Sequence, residues 1–464
     1  MSQANNNPFR IRFLGAAGTV TGSKYLLTND NTNILVDCGL FQGLKELRLK
    51  NWDRFPINPK KINAIVLTHA HIDHSGYIPR LIKEGFRGKI FCTQATFALC
   101  QILLPDAGYL QEEEADWLNR KHFSKHKPAL PLFSKDEAEK SLEQFVTKSF
   151  DDSFEITDGI SATFKYAGHI LGAASVIINT GLTQIAFSGD LGRKDDSILY
   201  PPVILPKVDY LIVESTYGNR QHEPTDPIQD LEIIINEALQ KKGVVLIPAF
   251  AVGRAQSIMH HLAVLKKSGR IPHVPMYLNS PMATKVTDLF CEYKTLHKLS
   301  VQQCEEMSDA VEYVKTVEES KALNERKGPM IIISASGMAT GGRIVHHLKA
   351  FVSNPTTTVV LAGFQAAGTR GRSLQDGAKE IKIHGELVPV NATIRVLDNI
   401  SAHADYVEIL DWLSQSKISP RKVFITHGEI EAAHKMKEHI NKKFNWSCEV
   451  PKQDQEFMLG PNES

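Results

Sequence analysis

Short apolar runs, each closed by a small or polar residue, recur along the whole chain. Alternation over residues 9–14, and apolar stretches at 23–28 and 33–36, predict paired strands, with Gly15-Ala16-Ala17-Gly18 as a turn. Ala64-Ile65-Val66-Leu67 predicts a buried strand, and further strands are expected at 162–166, 185–187 and 209–214. A polar stretch from about residue 105 to 149, rich in Glu, Lys and His, predicts solvated helix with His122 and His126 on the surface. Beyond residue 214 the texture changes. Helical periodicity at 228–240, 253–265 and 342–351 alternates with strand-like runs at 243–248, 274–278, 330–334 and 358–362. Such alternation predicts a parallel α/β layer. Strands return at 380–386 and 391–397.

Composition narrows the class without deciding it. The 464 residues are 42% hydrophobic and 23% charged, with a net charge of +1, an ordinary globular balance that argues against a histone-like basic coat or an acidic tail. The six cysteines form no C-x-x-C pair, which points to a reducing compartment. The first eight residues are polar and lack a signal-peptide core, and no apolar run approaches the ~20 residues that span a bilayer. The expectation is a cytoplasmic protein with no membrane segment.

The chemistry gathers at strand ends. Thr68-His69-Ala70-His71-Ile72-Asp73-His74 follows its apolar strand directly. Imidazole and carboxylate are the donors that zinc and similar ions prefer, and burying four such groups without a partner would cost several kcal/mol. The run therefore predicts a metal site. Asp37, His169 and Asp190 also follow apolar runs, and Asp190 lies between Gly189 and Gly192, where the backbone allows close approach. Glu214 ends another strand, and Ser401-Ala402-His403-Ala404-Asp405 and Thr426-His427-Gly428-Glu429 add two further sites. Within the α/β stretch, strands end in small turns holding Ser280 and Ser336, and Arg343, Arg370 and Arg372 stand beside such turns. Helix N-termini behind parallel strands suit anions, so these five residues are candidates for binding substrate phosphates. Residues 219–375 hold 18 Lys and Arg against 14 Asp and Glu, a mild basic surplus.

In order, Asp37, His69-x-His71-x-Asp73-His74, His169, Asp190, Glu214, His403 and His427 resemble the motifs of the metallo-β-lactamase-fold nucleases of the β-CASP group. That family includes RNase J and the endonuclease subunit of the eukaryotic mRNA 3′-end cleavage factor. The resemblance covers essentially the whole chain. Leu397-Asp398-Asn399-Ile400 departs from the Gly-Phe often found before the serine of the His403 motif. The resemblance implies an α/β fold: a metallo-β-lactamase αββα sandwich (residues 1–218 and 376–464) with an inserted parallel β-CASP domain (219–375). It implies two zinc ions, one held by His69, His71, His169 and Asp190, the other by Asp73, His74, Asp190 and His427, with Asp37 orienting a ligand from behind. Such a pair could activate hydroxide for attack on a phosphodiester, with His403 as general acid held by Glu214. The DNA-cleaving branch lacks a histidine at the position of His427, so the implied substrate is single-stranded RNA, cut internally, and a homodimer is among the assemblies that the resemblance allows. A DNA nuclease of the same fold and a small-molecule zinc hydrolase are the alternatives, and the latter would need neither His403 nor the insert.

Overall fold

The computed structural model describes residues 8–121 and 126–460, so His122 lies outside the described residues, while His126 is exposed as expected. The chain divides into two compact units: Met1–Asp195 with Pro201–Gln221 and His403–Ser464, and Asp196–Tyr200 with His222–Ala402.

The first unit is built on two seven-stranded sheets. One runs, edge to edge, Glu456–Leu459, Phe9–Phe13, Tyr25–Thr28, Asn33–Val36, Ala64–Val66, Lys89–Thr93, Phe145–Lys148. The other runs Cys448–Glu449, Lys422–Thr426, Tyr210–Glu214, Gln184–Phe187, Ala174–Asn179, Ile160–Tyr166, Ser153–Thr157. Alternate residues of both sheets point inward to a shared core that includes Phe13, Tyr25, Val36, Phe164, Phe187 and Phe424. The outer face of the second sheet is covered by the helices Tyr406–Ser416 and Ile430–Phe444, which bury Ile409, Leu413, Met436 and Ile440 against Leu211, Val213, Val423 and Ile425. This is the helix–sheet–sheet–helix sandwich expected from the resemblance.

The stretch expected to be solvated helix is more buried than its polarity suggested. A helix spans Gln94–Lys121 and a second one Lys135–Ser141, while Phe133, Ala138 and Ser141 are fully buried. Glu, Lys and His dominate the composition there, but only one helix face needs apolar residues to dock.

The second unit carries a six-stranded parallel sheet ordered Glu312–Tyr313, Met276–Leu278, Met330–Ser334, Val244–Pro248, Thr358–Ala362, Thr393–Leu397. Its central strands are near-continuous apolar runs, as buried parallel strands are. The strand Thr393–Leu397 adds to this sheet beside Thr358–Ala362, so the compact unit extends to Ala402 where the sequence reading turned back at 376. The run read as one strand at 380–386 is a hairpin, Glu380–Ile383 against Glu386–Pro389, closed by His384-Gly385.

Candidate metal centre

Most of the clustered side chains lie at or just beyond the C-terminal end of a strand of the first unit; Asp73 and His74 stand on the short helix Ile72–Ser75, and His403 enters on the loop before the helix Tyr406–Ser416. Strand ends free the backbone to turn, and two of these turns are strained. Asp37 and His427 take left-handed backbone (φ 57° and 49°), a conformation that costs a non-glycine residue of order 1 kcal/mol. Both are held there: the Asp37 N–H donates to Val66 O at 3.0 Å and the His427 N–H to Ala16 O at 2.8 Å. Gly39 lets the turn after Asp37 touch the segment holding Asp73 and His74, because a Cβ there would sit 1.6 Å from Asp73 O.

The groups converge on Asp190. Its Oδ2 lies 3.4 Å from His69 Nε2 and 3.5 Å from His169 Nε2, and its Oδ1 lies 3.3 Å from His74 Nε2 and 3.4 Å from His427 Nδ1. His71 Nδ1 is 3.1 Å from His169 Nε2. His427 Nε2 is 3.5 Å from Asp73 Oδ2 and 3.1 Å from His74 Nε2. Donor atoms about 2.0–2.1 Å from a tetrahedral ion stand about 3.3 Å from one another, close to this spacing. Two sets therefore form, His69, His71, His169 and Asp190 on one side, and Asp73, His74 and His427 on the other. His69 Nε2 and Asp190 Oδ1 are buried without a hydrogen bond among the described residues. Buried polar atoms are rarely left so, and a cation would satisfy both. The donor set fits a metal ion.

The charge states of His69, His71 and Asp190 agree with that use. Burial lowers the pKa of His74 too, but Asp190 and Asp37 more than offset it and hold it well above its usual value, so an ion at Nε2 would have to displace a proton there. Burial and the neighbouring His74 push His69 down to about 3, and burial pushes His71 down to about 4, so both are neutral and ready to donate lone pairs at pH 7. Burial opposes ionisation of Asp190, but the surrounding imidazoles outweigh it and hold the carboxyl well below its usual range.

Behind these groups sits Asp37. It is fully buried, its Oδ2 lies 2.7 Å from His74 Nδ1, and it accepts from Thr68 N at 2.8 Å and Thr68 Oγ1 at 2.9 Å. That contact places a proton on His74 Nδ1 and leaves Nε2 to face the centre. Glu214 accepts from Leu191 N at 2.6 Å and holds His403 Nδ1 at 3.2 Å. Burial lowers the pKa of His403, but Glu214 and Asp190 more than offset it, so its pKa is raised. His403 Nδ1 is 4.0 Å from Asp190 Oδ2 and stays half-buried beside the cluster.

The five phosphate candidates belong to the second unit, and most of their polar atoms have partners. Ser280 caps the helix Pro281–Glu292, accepting from Ala283 N. Ser336 Oγ accepts from Thr340 N at 3.0 Å. Arg343 donates to Asn279 Oδ1, Val314 O and Lys315 O, and Arg370 to Lys382 O, Ala339 O and Thr340 O. Arg372 pairs with Asp376 on the surface. Sequence reading missed two partners of the cluster, Thr216, whose Oγ1 is 3.1 Å from His427 Nδ1, and Ser23, whose Oγ is 3.3 Å from His74 Nε2. Neither hydroxyl has a spacing signal; only the fold brings them in.

Sandwich and cluster together define a metal-dependent hydrolase of metallo-β-lactamase fold. Residues 17–240 match the metallo-beta-lactamase superfamily, residues 255–374 the Beta-Casp domain, and residues 387–451 the Zn-dependent metallo-hydrolase RNA specificity domain. The chain is 37% identical to Ribonuclease TTHA0252 of Thermus thermophilus, over 91% of this chain and 94% of the relative. It is 32% identical to the transcription termination factor FttA of Methanosarcina mazei, over 94% of this chain and 69% of the relative. A protein of unknown function from Enterococcus faecalis shares the fold, with a TM-score of 0.54 at 14% identity, over 97% of this chain and all of that one. The chain belongs to the β-CASP family of metallo-β-lactamase-fold hydrolases.

Proposed function

We propose that this protein is a zinc-dependent ribonuclease that hydrolyses phosphodiester bonds of single-stranded cytoplasmic RNA, cutting internally. The observation that carries the reading is the two-sided placement of Asp190, one oxygen toward His69 and His169 and the other toward His74 and His427. A bridging carboxylate between two donor sets is the arrangement of a two-metal site for in-line displacement at phosphorus. On this reading His69, His71, His169 and Asp190 hold one zinc and Asp73, His74, Asp190 and His427 a second. Zinc held there would make water a nucleophile at neutral pH, since coordination lowers its pKa toward about 7. Asp37 keeps His74 in the tautomer that can ligate. His403 presents Nε2 to the leaving 3′ oxygen and protonates it, while Glu214 takes up the Nδ1–H and keeps the ring charged and oriented. The products would carry a 5′ phosphate and a 3′ hydroxyl. Support for RNA comes from the relative named a ribonuclease and from the RNA specificity domain matched at residues 387–451.

The test is incubation of the zinc-loaded protein with end-labelled single-stranded RNA and the matching DNA, resolved on a sequencing gel. Internal RNA fragments with 3′ hydroxyls, abolished by a chelator, are expected. Cut DNA beside intact RNA, or both strands intact, would overturn the reading.

A further inference from the structure

One face of the first unit carries positive charge, an exposed leucine and one indole ring that neither the metal site nor the core uses. Residues 44–61 hold six Lys and Arg against two Asp and Glu. Within them, the short helix Lys45–Leu49 and the helical turn Lys50–Trp52 follow one another without a break. Spacings of three, four and seven residues put Lys45, Arg48, Leu49 and Trp52 on one face, and all four are exposed, Leu49 by 56% and Trp52 by 49%. The helix buries none of its residues, so packing does not explain these choices. Lys45, Arg48 and Arg54 form no ion pair among the described residues, although nearby Arg80 pairs with Glu84 at 2.8 Å.

The segment is firmly seated. Buried Asn51 clamps both main-chain groups of Phe41, donating to its O at 2.8 Å and accepting from its N at 2.9 Å. The Phe41 ring packs on Gly22, and the next residue, Ser23, reaches His74 in the metal cluster. The exposed face is thus tied to the frame that holds the reacting groups.

We propose that the face formed by Lys45, Arg48, Leu49, Trp52 and Arg54 is a docking surface for single-stranded RNA outside the metal centre, a surface that rests on the ribonuclease reading. Unpaired guanidinium and ammonium groups suit a phosphate backbone, and the half-exposed indole of Trp52, over which the Arg80 guanidinium stands 6.0 Å from the ring centre, offers a stacking platform that any base can use. An acidic protein would match the charges as well, and is the alternative outcome of the test.

The experiment compares the full-length, zinc-loaded wild type with Trp52→Ala and with Lys45→Glu/Arg48→Glu on unstructured RNAs of about 20 and about five nucleotides, the longer able to reach beyond one binding subsite. Loss of one base–indole stack should raise KM for the long RNA by ~5–50-fold, leave kcat unchanged and leave the short RNA unaffected. The double charge reversal should flatten the dependence of log KM on log salt by about 1.4, at about 0.7 per phosphate contact. All three proteins should melt alike. Equal KM for the long RNA in all three overturns the proposal and leaves the face to an acidic protein. If the wild type cuts neither RNA, the ribonuclease reading fails by itself. Fluorescence anisotropy with the same long RNA then decides this one: weaker binding by both variants supports it, and equal binding overturns it.

Discussion

At the scale of single residues, the cluster separates groups that would hold metal from one that would move a proton. Asp190 faces both donor sets, so Asp190→Asn should lower the zinc content measured by elemental analysis and abolish cleavage. His403 contacts Glu214 more closely than Asp190, so His403→Ala should keep its zinc and slow the reaction by ~10²–10⁴. Loss of zinc from that variant would make His403 a ligand. Lys24 offers a test away from the chemistry. It is buried over the rings of Phe41 and Tyr77, and burial pushes its ammonium down to about 8 from an ordinary 10.5. Below pH 8 the folded chain must carry a charge it disfavours. Between 8 and 10.5 the folded state gives up a proton that the unfolded chain keeps, so this group's contribution to stability rises with pH through that window. Lys24→Met should therefore stabilise the fold by roughly 1–3 kcal/mol at pH 7 in urea titrations, with the gain shrinking toward pH 10. All the residues of the centre stood out in the sequence because His and Asp seldom follow apolar strands in such number. Their partners were less legible: the resemblance implied that Asp37 orients a ligand from behind, but that the ligand is His74, and that the hydroxyls of Thr216 and Ser23 reach the cluster, depends on turns that no local pattern announces.

At the scale of elements, strand ends aim the groups and caps hold the aim. Asp405 accepts from Val407 N and Glu408 N and begins the helix Tyr406–Ser416, while the Glu408 carboxylate accepts from Asp405 N. His403 stands two residues upstream, and Ala404 N donates to Leu191 O beside Asp190. Asp405→Ala should cost about 1 kcal/mol of stability and, by loosening that loop, lower kcat roughly 10-fold with zinc retained. An unchanged kcat would show that the loop is held by other means. The central parallel strands were legible because they are continuous apolar runs with small residues after them. The helices Pro281–Glu292, Val301–Asp309 and Val317–Glu325 were not read, although Pro281–Glu292 is as amphipathic as the helix Pro227–Gln240; each buries only two to four residues. The hairpin at Glu380–Ile383 and Glu386–Pro389 was read as one strand because His384 adopts a positive φ that its identity does not signal.

At the scale of the whole molecule, two units with separate cores share one chain, and the metal donors all belong to one of them. Calorimetry should resolve two transitions, of which a chelator lowers only one. At a hundredfold excess of free zinc over its Kd the bound metal contributes about 2.7 kcal/mol, or roughly 5–10 °C for a unit of this size. A uniform downward shift of both would show that they melt as one. The same architecture has a consequence for how the protein is made. His74 and His427, whose rings meet at 3.1 Å, are separated by 353 residues of chain. At ~5–20 residues per second a ribosome needs roughly 20–70 s to travel from one to the other. Throughout that interval the nascent polypeptide already carries the early histidines but lacks the strand that brings the last one home. The finished centre cannot exist while most of its own message is still being read, so the template is translated before the chain encoded by it can attack RNA.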